Sequence, residues 1–591
     1  MKKIFLLLTV AALTFSACSD NDMESVNTDY TKTTSIDPNA QLTTSLLQTY
    51  GDFIMTNFHR CYTLAFTQHF SGNWNICNYG GSNHQEDDIN RLMWDRYYPV
   101  AINNLTDAIK NSTDRPNLNA VLRIHKVYLM SVLTDTYGDI PCSKAGKGLE
   151  GVSTPKYDTQ EEIYNWFFEE LKACVEQLGT GSDRITGDVT SMKGDVAMWK
   201  KYANSLRMRF AMRISDKDDA KAKTEFEAAI NDPAGYIRTD GDDAYIIYLD
   251  TPITKDEGAR DGDFRYNALG AILYGQDGTN PMFVCATFYE ILKKLEDPRL
   301  YRICRYFVNT MRSDLKPDYT GNVDLTDEIR AFREERGWAT KACEMGEAWY
   351  DDWIGDLPNV NPNDPNNNLD KLPKLKDLIT QYPDAGFDSD ASIQRLNKLW
   401  LSIDFERADN PGTLMNSAEV EFLLAEAKLK WNIPSISGTM EDHFRKGVKA
   451  SLVWMNAHYL PSDYKMTETE INDYVNGPVL NSTLANNAKE AINTQAWILH
   501  MMNPAEAWAN LRRSDYPRIK DRELLPTYKF TYDDNVDGQR CLKTPTRICY
   551  PASEKQYNSA NYAEAIGRMG GSDDWHAKVW WDKNDINLQQ Q

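Results

Sequence analysis

The stretch from Ala120 to Pro141 constrains this chain more than any other. Val121, His125, Tyr128 and Val132 recur at helical spacing, with Leu122, Leu129 and Leu133 beside them. That pattern predicts a helix whose wide apolar stripe must be buried. It stops at Tyr137-Gly138-Asp139-Ile140-Pro141. Gly138 can take the positive φ of a helix C-cap, and Pro141 cannot continue a helix. A long buried helix is therefore expected to deliver an acidic, aromatic turn to one end of the molecule. Asp135, Tyr137 and Asp139 in that turn either bind a ligand or cap the helix and hold the next loop.

More helices of the same kind follow. Asp158 with Glu161 reads as an N-cap with its return partner, opening a helix lined by Ile163, Phe167 and Leu171. Trp199, Ala203, Leu206 and Phe210 share one face of a helix that opens at Gly194-Asp195. Arg207, Arg209 and Arg213 on that helix are assigned to different faces and to ordinary ion pairs. Ala418 to Ala427 is another apolar helix. At 591 residues the chain has ample length for a sizeable core. With roughly 150 residues per domain it would hold at most about four.

The first residues read as a leader. Met1-Lys2-Lys3 precedes a short apolar run, Ile4 to Leu13, too short to span a membrane. Phe15-Ser16-Ala17-Cys18 resembles a bacterial lipobox, which would make Cys18 the lipidated first residue of the mature protein. Residues 18–40 then form a polar tether. The remaining cysteines are scattered without any Cys-x-x-Cys, which argues against a zinc site or a disulfide framework and for buried thiols. Cys541 and Cys549 stay open as a single pair.

Two stretches break the helical pattern. Residues 68–84, rich in Gly and Asn, carry Phe70, Trp74 and Tyr79. An aromatic ring stacks on the C–H face of a pyranose, and amides pair with its hydroxyls, so this is the chemistry of a sugar site. The same residues also suit a loop pinned by a half-buried Trp74. Between about 250 and 410 the composition shifts to Gly, Pro, Asn and Asp. Trp338, Trp349, Tyr350 and Trp353 cluster there around Glu347, Asp351 and Asp352, and they predict a second ligand-facing loop set.

Several of these segments carry a family resemblance. Asp135-x-Tyr137-Gly138-Asp139-Ile140-Pro141, Trp199 to Arg207, Asp297-Pro298-Arg299-Leu300 and Ala418 to Ala427 resemble hallmarks of the SusD/RagB family. So do Trp508 with Arg512-Arg513, Arg547 with Tyr550-Pro551, and Trp580-Trp581-Asp582. These are surface nutrient-binding lipoproteins of the Bacteroidetes. The resemblance implies a mostly α fold, a tetratricopeptide-like helical scaffold with a loop-rich, largely irregular ligand-binding part. No 34-residue period is visible in the sequence itself. Residues 1–17 would be the signal peptide and 41–591 a single SusD-like domain. Its scaffold would lie mainly in 41–250 and 410–500, and its loop-rich part mainly in 251–409 and 501–591. The resemblance also implies an outer-membrane lipoprotein facing the cell exterior. It would capture an oligosaccharide, or alternatively a peptide, and pass it to a SusC-like TonB-dependent transporter. Acidic residues after Cys18 resemble the family's display signal. Trp74, Asn75 and Asn78 are the nearest matches by position to the family's ligand-contacting residues.

The charge of −21 excludes nucleic acid as a natural partner. No His-Glu-x-x-His, Gly-x-Ser-x-Gly or P-loop is present, so no catalytic residue is nominated and no enzyme is expected. A surface polysaccharide hydrolase is the weaker alternative, since it needs a constellation the sequence does not present. No cofactor is expected. Calcium stays open as the one alternative: Asp533 to Gly538 fits the first half of a calcium loop, although Thr544 stands where the closing Glu belongs.

Overall fold

The structure, a computed structural model, describes residues 36–72, 77–81, 85–250, 264–274, 282–307, 322–323, 399–520 and 544–583. Its body is mostly α-helical. The principal helices are α1 (Pro38–Gly51), α2 (Pro116–Tyr137), α3 (Gln160–Gln177), α4 (Val196–Ile214), α5 (Asp219–Ile230), α6 (Ser417–Trp431), α7 (Met440–His458), α8 (Ala488–Leu499) and α9 (Pro504–Ser514). They pack as neighbouring pairs: α2 on α3, α3 on α4, α4 on α5, and α6 on α7. Contacts of α4 with α6 and of α9 with α2 close the pairs around one core. None of the described helices is long and apolar enough to cross a membrane.

The ends of α2 show how the sequence sets this frame. Pro116 takes the first helical position, where a missing N–H costs nothing. The Asp183 carboxylate accepts from the next two amides, Asn117 at 3.1 Å and Leu118 at 2.9 Å. Nearly every residue of α2 is buried. Gly138 closes the helix at φ +90°, as its position predicts.

The acidic turn after α2 binds the chain's own C-terminal segment. Asp135 accepts from Tyr164 Oη at 2.6 Å and from Trp581 Nε1 at 2.8 Å. Asp139 accepts from the Gln160 amide and from Arg568 Nε, and its carbonyl accepts from Tyr550 Oη. Arg547 Nε donates to the Tyr137 carbonyl at 3.2 Å. All three turn residues are buried, so their role is the capping and holding one.

Two details differ from expectation. The capping box of α3 is Thr159 with Glu162, one residue later than the Asp158–Glu161 reading. Asp158 is occupied as an isolated bridge partner of Ile140, and its carboxylate holds the Cys142 and Ser143 amides. The helix cannot begin until that pairing ends. Arg209 and Arg213 share one face of α4, as their spacing of four requires; only Arg207 stands apart. The ion pairs themselves are present: Arg207 with Glu225, Arg209 with Glu419, and Arg213 with Glu506.

Two small sheets complete the fold. β2 (Ala244–Ile246) pairs with β7 (Gly412–Met415). The other sheet has five strands in the order β1-β3-β6-β4-β5, with β1 Phe70–Gly72, β3 Met282–Val284, β4 Cys304–Phe307, β5 Asn322–Val323 and β6 Leu399–Leu401. Every adjacent pair is antiparallel. Cys549 is a buried free thiol that donates to the Asp573 carbonyl, and Cys541 lies outside the described residues.

Candidate ligand-binding site

The five-stranded sheet is the root of both aromatic stretches. β1, β6 and β5 run in one direction, because each is separated from the next of the three by a single antiparallel strand. Gly72 and Val323 therefore end their strands at the same end of the sheet. The chain leaves Gly72 toward Trp74 and leaves Val323 toward Trp338. These exits sit on opposite edges, four strand spacings or about 19 Å apart.

Helix packing holds the first root in place. His69 stacks on Trp497 with centroids 4.2 Å apart, and Phe288 meets it edge-on. Its Nδ1 pairs with Thr67 Oγ1 and its Nε2 with the Trp497 carbonyl, each at 2.9 Å. Trp497 Nε1 donates to the Thr67 carbonyl at 3.0 Å. Burial pushes the His69 pKa down to about 3, so the ring is a neutral fastener. Gln68 sits at φ +55° and donates from Nε2 to the Lys520 carbonyl at 2.9 Å. Its Oε1 accepts from Thr287 and from the Lys520 amide. This side chain ties the start of β1 to the residue just before 521.

The returning segment Cys77–Gly81 lies against the helical segment His59–Thr63. Gly80 permits that approach: a Cβ there would lie 2.5 Å from the Cys61 carbonyl oxygen. Tyr79 is half-buried against the core. Asn78 lies in this segment by its backbone. Trp74 and Asn75 lie outside the described residues, as do Trp338, Trp349, Tyr350, Trp353, Cys18 and the Asp533–Gly538 loop. Sequence reading missed Gln68, His69, Trp497 and Lys520. The His-Phe pair just ahead of the Gly-rich stretch was the one available signal.

One cluster has the composition of a metal site. Glu419, His500 and Glu506 converge within 4.8 Å of one another. Their charge is already answered. Arg209 donates to both Glu419 oxygens, at 2.6 and 2.7 Å, and Arg213 to both Glu506 oxygens at 2.6 Å. Burial opposes ionisation of Glu506, but the Arg213 and Arg209 charges outweigh it and hold its pKa down to about 2. A cation would have to displace two guanidinium groups. The adjoining void is about 20 Å³, space for one water and no substrate. The cluster is a neutralised core network.

Comparison with known proteins agrees with this architecture. Residues 30–336 match a family model described as starch-binding and associating with the outer membrane. Residues 384–582 match the model of the SusD and RagB outer membrane lipoproteins. Among solved structures, a Bacteroidetes AC2a SusD-like protein is 36% identical, with a TM-score of 0.77 over 93% of this chain and 100% of that one. A structure described as a chitin-binding protein is 28% identical, with a TM-score of 0.68 over the same shares. A chitin-binding SusD homolog from Flavobacterium johnsoniae, 22% identical with a TM-score of 0.61 over 93% of this chain and 100% of that one, shares the fold. No curated protein matches the chain significantly. A helical body that matches family models across most of its length, with the hallmark turn built into its core, belongs to the SusD/RagB family of outer membrane lipoproteins.

Proposed function

We propose that this protein binds a glycan at the cell surface and does no bond chemistry on it. The observation that carries this reading is the full-length match, at 28% identity, to a structure described as chitin-binding. The strands that come before Trp74 and Trp338 in the chain end at the same end of the five-stranded sheet, which supports it. In this reading Trp74, Asn75, Asn78 and Tyr79 form one part of the site, and Trp338, Trp349, Tyr350 and Trp353 the other. Cys18 carries the lipid, residues 18–40 act as a tether, and residues 41–591 form one domain. The captured oligosaccharide passes to a TonB-dependent transporter in the same membrane. Stacking contacts of modest strength suit this role, since tight binding would slow hand-over.

Trp74→Ala is expected to weaken glycan binding about tenfold, roughly 1.4 kcal/mol, through loss of one stacking face. Its unfolding midpoint should stay that of the parent protein. Titration calorimetry with chitin, starch and peptide fragments checks this. Unchanged glycan affinity in the folded variant removes Trp74 from the site. Binding of peptides and of no glycan replaces the glycan reading with a peptide one.

A further inference from the structure

A cleft of about 450 Å³ opens beside the acidic turn, and no residue of either aromatic stretch lines it. Its size lies in the range of small-molecule sites. Trp94, Tyr98 and Asn103 line one side, the loop Lys144–Gly148 another, and Glu554 a third.

Three observations give it a chemistry. The first is Trp94, which is only 6% exposed. Its indole N–H makes no hydrogen bond among the described residues and is not sealed from solvent, and Trp94 lines the cleft. A buried donor left in this state is suited to a ligand acceptor.

The second is charge. Lys144 and Lys147 both line the cleft, and neither forms an ion pair with any described residue. Beneath the loop a third lysine, Lys126, is half-buried and donates only to Thr106 Oγ1 at 3.0 Å. Thr106 in turn lies directly against Gly146, where a Cβ would come within 2.6 Å of its hydroxyl oxygen.

The third is the loop backbone. Gly146 takes φ +74°, and the amides of Gly146, Lys147 and Gly148 donate to no described residue. Successive free amides in such a turn form a concave anion cradle. Two carboxylates line the cleft as well: Asp95, which is paired with Arg91 at 2.9 Å, and Glu554, whose Oε2 accepts from Tyr157 Oη at 2.6 Å and from Asn558.

We propose that this cleft is a second binding site, for a saccharide bearing a carboxylate or a sulfate. Lys144, Lys147 and the loop amides take the oxyanion. The Trp94 N–H and the Asn103 amide take ring hydroxyls. The word saccharide rests on the glycan reading above; the anion preference does not.

The test is titration of the full protein with glucuronic acid, N-acetylglucosamine 6-sulfate, neutral N-acetylglucosamine and inorganic sulfate. The two acidic sugars separate carboxylate from sulfate. At least one should bind about tenfold more tightly than the neutral sugar, an advantage that falls as salt rises. The double substitution Lys144→Gln/Lys147→Gln should erase that advantage while leaving the melting point and the binding of neutral chitin fragments unchanged. Trp94→Phe, which keeps the ring and removes the donor, should weaken the acidic sugar alone. Trp74→Ala should leave the anion preference intact, so the two sites fail separately. The proposal is overturned by an absence of anion preference, by a preference that survives the double substitution, or by inorganic sulfate binding as tightly as the sulfated sugar.

Discussion

Arg299→Ala is expected to cost about 3–5 kcal/mol of folding stability, because it strands a buried carboxylate. Arg299 is wholly buried and clasps Asp297, with Nε 2.9 Å from Oδ1 and Nη2 2.6 Å from Oδ2. The same guanidinium donates to Ser451 Oγ on α7 at 2.8 Å and to Gln495 Oε1 on α8 at 2.6 Å. Tyr474 Oη donates to Asp297 as well. One side chain thus fastens the Asp297–Leu300 turn to two helices. Its removal leaves an uncompensated charge and two unpaired acceptors in the core, while Ala also leaves a cavity. Denaturant unfolding of parent and variant checks the value. The double variant Arg299→Met/Asp297→Leu should recover a large part of the loss, since it removes the stranded charge along with its partner. A loss below about 1 kcal/mol in the single variant would mean that water reaches the site and the clasp is not structural.

Trp497→Ala is expected to cost a similar amount, about 3–5 kcal/mol, and to loosen the root of the Trp74 stretch. Trp497 is 1% exposed, stacks on His69 and meets Phe288 edge-on. Its loss opens a cavity under β1 and leaves the Thr67 carbonyl without its donor. Trp497→Phe separates the two effects. The ring packing is largely kept, and the lost hydrogen bond costs about 1–3 kcal/mol. In the phenylalanine variant, folded at working temperature, glycan affinity should fall although residue 497 touches no glycan. Full glycan affinity in that variant would show that the strand root does not position the site.

Helices and their ends were readable because their signals are local. Pro116 and Gly138 bracket α2, and each acts through its own backbone chemistry. The one-residue error at Thr159 arose from a long-range fact, the Ile140–Asp158 bridge, which no local pattern carries. The five-stranded sheet was not readable. Its strands are two to four residues long and come from positions 70 to 401, too short for a period of two to show. The ion pairs of the α4 arginines were expected, but their partners were not readable. Arg213 meets Glu506, which lies 293 positions away along the chain. The aromatic stretches were visible by composition, since Trp and Asn among glycines are conspicuous. Their fasteners were not, because Gln68 and His69 gain meaning only beside Lys520 and Trp497.

The most direct measurement of the central claim pairs binding with product analysis on one sample. Chitin oligosaccharides are titrated onto the lipid-free protein, and the sugar is then recovered and its chain length read by mass spectrometry. Saturable binding with every oligosaccharide returned at its original length is the predicted result. Shortened chains with new reducing ends would contradict it, and so would a folded protein that takes up no glycan at all.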